Sequence, residues 1–192
     1  MVKEVDYTTI AYVIEVRSRD RTVATFFALC QNKSLTGKVF LLFLCSHEQS
    51  WEQLKRTKDY EATAGTILFQ HLFAKCPQAK PLFGFPIDID PTSKELLSSR
   101  RFKMHAVYMI QMLDTALNML GPDIELLTEI MQELGVKHVR YGVRPEMFPV
   151  MGEALLKTLE ATIGADFNDA VRDAWKETYA ELSQDMIRAQ TK

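Results

Sequence analysis

The sequence has no long apolar run. Its longest, VFLLFLC at 39–45, has seven residues, against the roughly 20 that a bilayer-crossing helix needs, so no membrane span is expected. The N-terminus, MVKEVDYTTI, places acids where a signal peptide would continue into an apolar core, and Val2 stands where N-myristoylation requires glycine. Cysteine is scarce: Cys30, Cys45 and Cys76 are odd in number and far apart, with neither a CxxC pair nor a histidine at zinc spacing. A reducing, cytoplasmic compartment is the simplest setting for such a chain. Excess charge is missing too. The net charge is −2, and the lysines and arginines are scattered among acids rather than gathered into a stripe, which removes the electrostatic reason to expect nucleic acid.

What is present is an ordinary globular composition. With 192 residues, 47% of them apolar and 25% charged, one well-buried core in one domain is expected. Residues 1–33, with YTTIAYVIEV, RSRDR and VATFFALC, have the β-branched and aromatic character of one or two short strands or an irregular arm. From Ser34 the pattern is helical. Ser34 or Thr36 can cap a helix running to about Arg56 that includes Trp51, and TAGTILFQHLFAK at 63–75 repeats apolar residues at helical spacing. Four prolines between 76 and 91 limit that stretch to a short helical turn and a loop. Near the C-terminus one helix ends at Gly164, and another starts with Asp166 as its cap, presenting Val171, Trp175, Tyr179, Leu182 and Met186 on one face. The architecture expected is all-α behind an N-terminal arm.

The chain is organised about residues 101–143. A first arm carries Phe102, Met109, Met112, Leu113, Ala116 and Leu120 at helical spacing and stops at Gly121-Pro122; Asp123 can then cap a second arm with Leu127, Ile130, Met131, Leu134 and His138 on its apolar face. From His105 to Leu120 and from Asp123 to His138 are each 15 residues, or roughly 22 Å of helix. If the arms double back, both imidazoles return to similar heights and face an apolar slot. A bare zinc or iron site would need further Cys, Asp or Glu ligands, and the slot offers almost none. A flat apolar cofactor with an axially ligated metal suits it better.

From about Thr36 to Ile187 the sequence resembles a globin. LGVKHVRYGVRPEMFPVMGEALLKTLEATIG and DAWKETYAEL are similar to the proximal-histidine, following and last helices of the branch that includes flavohaemoglobins, neuroglobins and cytoglobins. KMHAVYMIQMLDTALNML resembles the distal helix, CPQAKPLF the short helix ending in a haem-packing phenylalanine, TAGTILFQHLF the second helix and SWEQL the first. The resemblance implies a three-over-three helical sandwich at 34–192, with 1–33 as an extension that has no counterpart in a minimal globin. It implies haem b, iron protoporphyrin IX, as cofactor, with His138 as proximal iron ligand and His105, or Met104 if the register slips by one, as distal residue. Leu134, Val143 and Phe148 would line the proximal side and Phe69, Phe83 and Met109 the distal side, with Gly65 at the crossing of second and distal helices.

What this implies for function is reversible binding of O2, and of NO and CO, in a binding or transport role, with His105 either donating a hydrogen bond to the gas or ligating the iron. Two alternatives remain open: a haem enzyme, such as a nitric oxide dioxygenase or nitrite reductase served by a separate reductase, and a gas or redox sensor acting through a partner by way of 1–33. Flavohaemoglobins carry a tyrosine and a glutamine where this chain has Phe69 and His105, and a proximal tyrosine and glutamate where it has Phe148 and Gln190. Phenylalanine cannot hydrogen-bond, and a neutral amide lacks the carboxylate's charge, so a strong electron push from the proximal side is not expected.

Overall fold

The computed structural model describes residues 48–120 and 124–190, all of it helix, turn or loop without a strand among the described residues. The expectations for 1–33, for a cap at Ser34 or Thr36, for Cys30 and Cys45, and for the turn at 121–123 fall outside those residues. The helices are α1 (48–55), α2 (Tyr60–Lys75), α3 (Lys94–Ser98), α4 (Arg100–Met119), α5 (Ile124–Arg140), α6 (Met147–Ile163) and α7 (Asp169–Gln190), with 3-10 turns at Pro77–Phe83 and Gly164–Asp166.

The packing is that of a three-over-three sandwich. Helix α4 lies chiefly on α2 and α5 on α7, while α6 backs both α2 and α7. The two arms therefore do not zip together along their lengths; each leans on a different neighbour and leaves space between them. Two glycines set these approaches. A Cβ on Gly65 would run into the Ala106 carbonyl of α4, and one on Gly135 would run into the Met186 backbone of α7. Only a missing side chain lets the helix backbones come this close.

Helix α4 carries two apolar faces rather than one. Phe102, Ala106 and Ile110 are buried in the main core, whereas Met109, Leu113 and Ala116 line a cavity and Met112 is 44% exposed at its edge. The core side centres on Phe69, Phe73 and Phe102, whose ring centroids lie 5.5–6.4 Å apart in tilted and edge-on pairs. Burying each such ring is worth about 1.5–3 kcal/mol.

Helix α1 is tied in by polar contacts. Asp114 of α4 accepts from Trp51 Nε1 at 2.7 Å and from Lys55 Nζ at 3.1 Å, while Trp175 Nε1 donates to Ser50 Oγ at 2.8 Å. One expected cap is corrected. Asp166 belongs to the 3-10 turn and accepts from Gln53 Nε2 at 2.6 Å, and the side chain at the start of α7 is Asn168, whose Oδ1 accepts from Val171 N at 3.1 Å. A cap must sit just ahead of the first helical turn, and here the chain makes a separate turn before α7 begins.

Candidate functional site

Between α4 and α5 lies a cavity of about 330 Å3, closed behind by α2, α6 and α7 and lined almost entirely by carbon and sulfur. That volume falls at the lower end of the range for small-molecule and cofactor sites. All eight expected residues, Phe69, Phe83, His105, Met109, Leu134, His138, Val143 and Phe148, line this one cavity. His105 stands on the α4 wall and His138 on the α5 wall. Met104, the alternative to His105, is 42% exposed and lines a different, outer groove.

The His138 imidazole is oriented from below. Its Nδ1 lies 2.8 Å from the Leu134 carbonyl, one turn back on α5. A carbonyl oxygen can only accept, so Nδ1 carries a proton, and in the neutral ring Nε2 then has the lone pair that a metal ligand requires. Phe148, at the start of α6, lies against the ring at 5.9 Å between centroids, and Tyr141 meets it edge-on at 6.2 Å. The cap at α5's end is also local: Val143 N donates to the His138 carbonyl at 2.9 Å, which turns the chain back under the cavity.

His105 is held differently. Its ring makes no hydrogen bond among the described residues and meets the edge of Phe83 at 5.3 Å. Burial, and then the Arg101 guanidinium one turn earlier, hold its pKa below the ordinary 6.5. A neutral imidazole facing an apolar space can either donate one hydrogen bond or offer one lone pair. Phe83 owes its place to a device absent from the expectations. Lys80 is buried, and its Nζ donates to the Ile87 and Ile89 carbonyls at 3.0 and 2.7 Å, pinning the loop that follows Phe83 against the 3-10 turn. Each charge-assisted bond of this kind is worth about 1.5–3 kcal/mol.

Sulfur lines much of the rest. Met109, Met112, Met131, Met147, Met151 and Met186 all face the cavity, six of the nine methionines in the chain, so they form its wall and not merely core filler. Tyr179 adds a phenol whose pKa burial pushes upward. Helical spacing could have found Tyr108, Met112 and Ala116, which continue the series begun by His105 and Met109; Tyr179, Leu182 and Met186 required knowing how α7 packs. Gln190 is not part of the lining, and its Nε2 is buried without a hydrogen-bond partner.

Among the described residues no group of three or more His, Cys, Asp or Glu could hold a bare metal ion. An apolar slot with a lone-pair nitrogen on one wall and a second imidazole on the other fits a flat metalloporphyrin by the chemistry of its donors. No helix among the described residues is long and apolar enough to cross a membrane.

Comparison with known proteins agrees. The globin family model matches residues 66–186. Neuroglobin of Tetraodon nigroviridis is 32% identical over 143 residues, covering 74% of this chain and 87% of that protein, and neuroglobin-2 of Oncorhynchus mykiss matches to the same extent. Among solved structures, the hexa-coordinate haemoglobin of Drosophila melanogaster superposes with a TM-score of 0.65 at 22% identity, over 75% of this chain and 90% of that one. A hexacoordinated haem protein of an anhydrobiotic tardigrade gives 0.66 at 19%, over 78% and 94%.

Proposed function

Because the chain belongs to the globin family, we propose that it is a cytoplasmic haem b protein that binds O2, NO and CO reversibly, with His138 as fixed axial ligand and His105 as an adjustable residue on the opposite side. Haem b would supply an iron atom for which the His138 and His105 imidazoles are the nitrogen donors. His138 would hold it through Nε2, and the hydrogen bond from Nδ1 to the Leu134 carbonyl at 2.8 Å is the observation that carries the proposal. That acceptor is neutral, so it orients the ring without the charge that a carboxylate would add. His105, whose pKa is lowered by burial, would donate a hydrogen bond toward a bound gas or ligate the iron itself. The apolar lining excludes water and protons, which protects a ferrous site from oxidation. The Drosophila and tardigrade proteins are hexacoordinate haem proteins, which supports the second role for His105.

Enzymatic turnover as a nitric oxide dioxygenase or nitrite reductase is the secondary reading, and it requires a separate electron donor. It is disfavoured by the neutral partner of His138 and by Phe148, which packs on that ring without a polar atom. The sensor alternative rests on residues 1–33, which lie outside the described residues.

The test is the absorption spectrum of the hemin-reconstituted, reduced, ligand-free chain. Sharp split visible bands that collapse to one broad band in His105→Leu are expected. Absence of a Soret band would overturn the haem assignment, and split bands surviving in His105→Leu would overturn the role of His105.

A further inference from the structure

Among the described residues, Lys80 is the only Lys, Arg, Asp or Glu that is buried, with 5% of its surface exposed. It forms no ion pair there, and the nearby Asp90 carboxylate is engaged by Thr92. Burying an ammonium without a carboxylate is costly, and an apolar side chain of the same length would fill the space with less penalty. Packing therefore does not account for a lysine at this position, whereas its hydrogen bonds do.

Those bonds close a bracket. Nζ donates to the Ile87 and Ile89 carbonyls at 3.0 and 2.7 Å, and the Lys80 carbonyl accepts from Phe85 N at 3.1 Å. Phe83, Gly84 and Phe85 lie inside the bracket, and each meets the start of α4. The edge of Phe83 meets His105 at 5.3 Å, the Arg101 side chain covers Gly84, and Phe85 meets Phe102 edge-on at 6.3 Å. Gly84 has φ 76°, and a Cβ there would run into the Arg101 guanidinium, so the seat is closed to other residues. The turn of α4 that carries His105 thus rests on two supports, Gly65 of α2 under Ala106 and the bracketed segment under residues 101–105.

We propose that Lys80 is a positioning residue for His105: by holding residues 83–85 against the first turns of α4, it sets the direction of an imidazole that has no hydrogen bond of its own. The inference deepens the haem reading above and rests on it. Lys80 does not line the cavity, so it acts through Phe83 and the seat of α4 rather than by touching a ligand. A ring that takes its direction from one aromatic edge points into the cavity only for as long as that edge is held. Removing the Nζ donor frees the segment after Phe83, and His105 then turns away from the cavity more often.

The test compares the full chain with Lys80→Met, which keeps the apolar stem and removes the donor, and with Lys80→Ala, in which n-propylammonium can replace the missing atoms. In Lys80→Met, amide exchange of residues 84–89 should accelerate by about tenfold or more, and residues 104–108 should follow while 128–138 do not. In the reduced, ligand-free, hemin-loaded variant the split visible bands should give way toward the broad band expected of His105→Leu. The ratio of His105-ligated to open iron should fall by about tenfold, within the range for losing a supporting contact. In Lys80→Ala, n-propylammonium should restore the split bands and sodium chloride at the same concentration should not. Unchanged bands in Lys80→Met, or 104–108 unmoved while 84–89 open, would overturn the proposal. So would a Lys80→Ala chain that n-propylammonium leaves unrestored or that sodium chloride restores equally. If the variants fail to fold, the parent decides: 84–89 and 104–108 should exchange with the same dependence on denaturant, and independent openings would overturn the coupling. A parent without a Soret band or without split bands counts against the haem reading alone, because exchange in the hemin-free chain still decides whether Lys80 holds α4.

Discussion

The two walls of the cavity hold their histidines in opposite ways. On α5, His138 is fixed at Nδ1 by the Leu134 carbonyl and flanked by Phe148. On α4, His105 has no hydrogen bond among the described residues and rests on the edge of Phe83. The helices beneath them are equally well seated, α5 against α7 at Gly135 and α4 against α2 at Gly65. The contrast is therefore confined to the rings. An imidazole with one nitrogen committed has a defined tautomer and direction, whereas an uncommitted one can rotate and exchange partners at little cost. The unequal roles proposed for these two chemically identical side chains rest on that single hydrogen bond.

Removing the committed ring should have the largest effect. His138→Ala is expected to weaken hemin retention by more than about 100-fold, beyond the range for losing a supporting contact, measured by transfer to an apo-globin acceptor; equal loss from His105→Ala would erase the contrast. Disturbing the seat of the uncommitted ring comes next. Gly65→Val forces a side chain into the Ala106 carbonyl, and a loss of about 1–3 kcal/mol in urea denaturation is expected, together with altered visible bands because Ala106 adjoins His105.

A pH experiment sharpens the contrast further. The folded chain holds His105 below its ordinary pKa of 6.5, so the unfolded chain binds its proton first as the pH falls. The stability that depends on a neutral His105 is complete above 6.5 and is lost as the pH drops through the folded value. In the hemin-free chain, His105→Phe should flatten the decline of stability below pH 6.5; an unchanged slope would mean that His105 does not titrate as a buried group. The smallest effect is expected from Asp114→Asn, which keeps an acceptor for Trp51 and loses the charge facing the half-exposed Lys55. A cost of about 1 kcal/mol or less is expected, with the visible bands unmoved if α4 is held mainly at Gly65.

Much of the arrangement was legible in the sequence because it depends on local periodicity. The apolar residues of both arms and the equal spacing of His105 and His138 from the turn can be read from residue order alone, whereas the crossing at Gly65 came from the resemblance to a globin. The single apolar face drawn for the first arm was too simple. A helix buried on two sides repeats apolar residues around more than half its circumference, and period alone cannot divide Phe102 and Ile110 from Met109 and Met112. Lys80 was illegible for another reason: its partners are backbone carbonyls at Ile87 and Ile89, and a backbone acceptor leaves no mark on residue type. Asp166 failed as a cap because an intervening 3-10 turn shifted the start of α7.

The six methionines of the cavity wall have a kinetic consequence. Each thioether side chain is unbranched and turns about three bonds, so the wall can open small gaps and close them again without moving a helix. Side-chain hops at exposed positions such as Met112 take picoseconds to nanoseconds. The entry rate of a small apolar molecule is then expected to depend on how often neighbouring thioethers step aside.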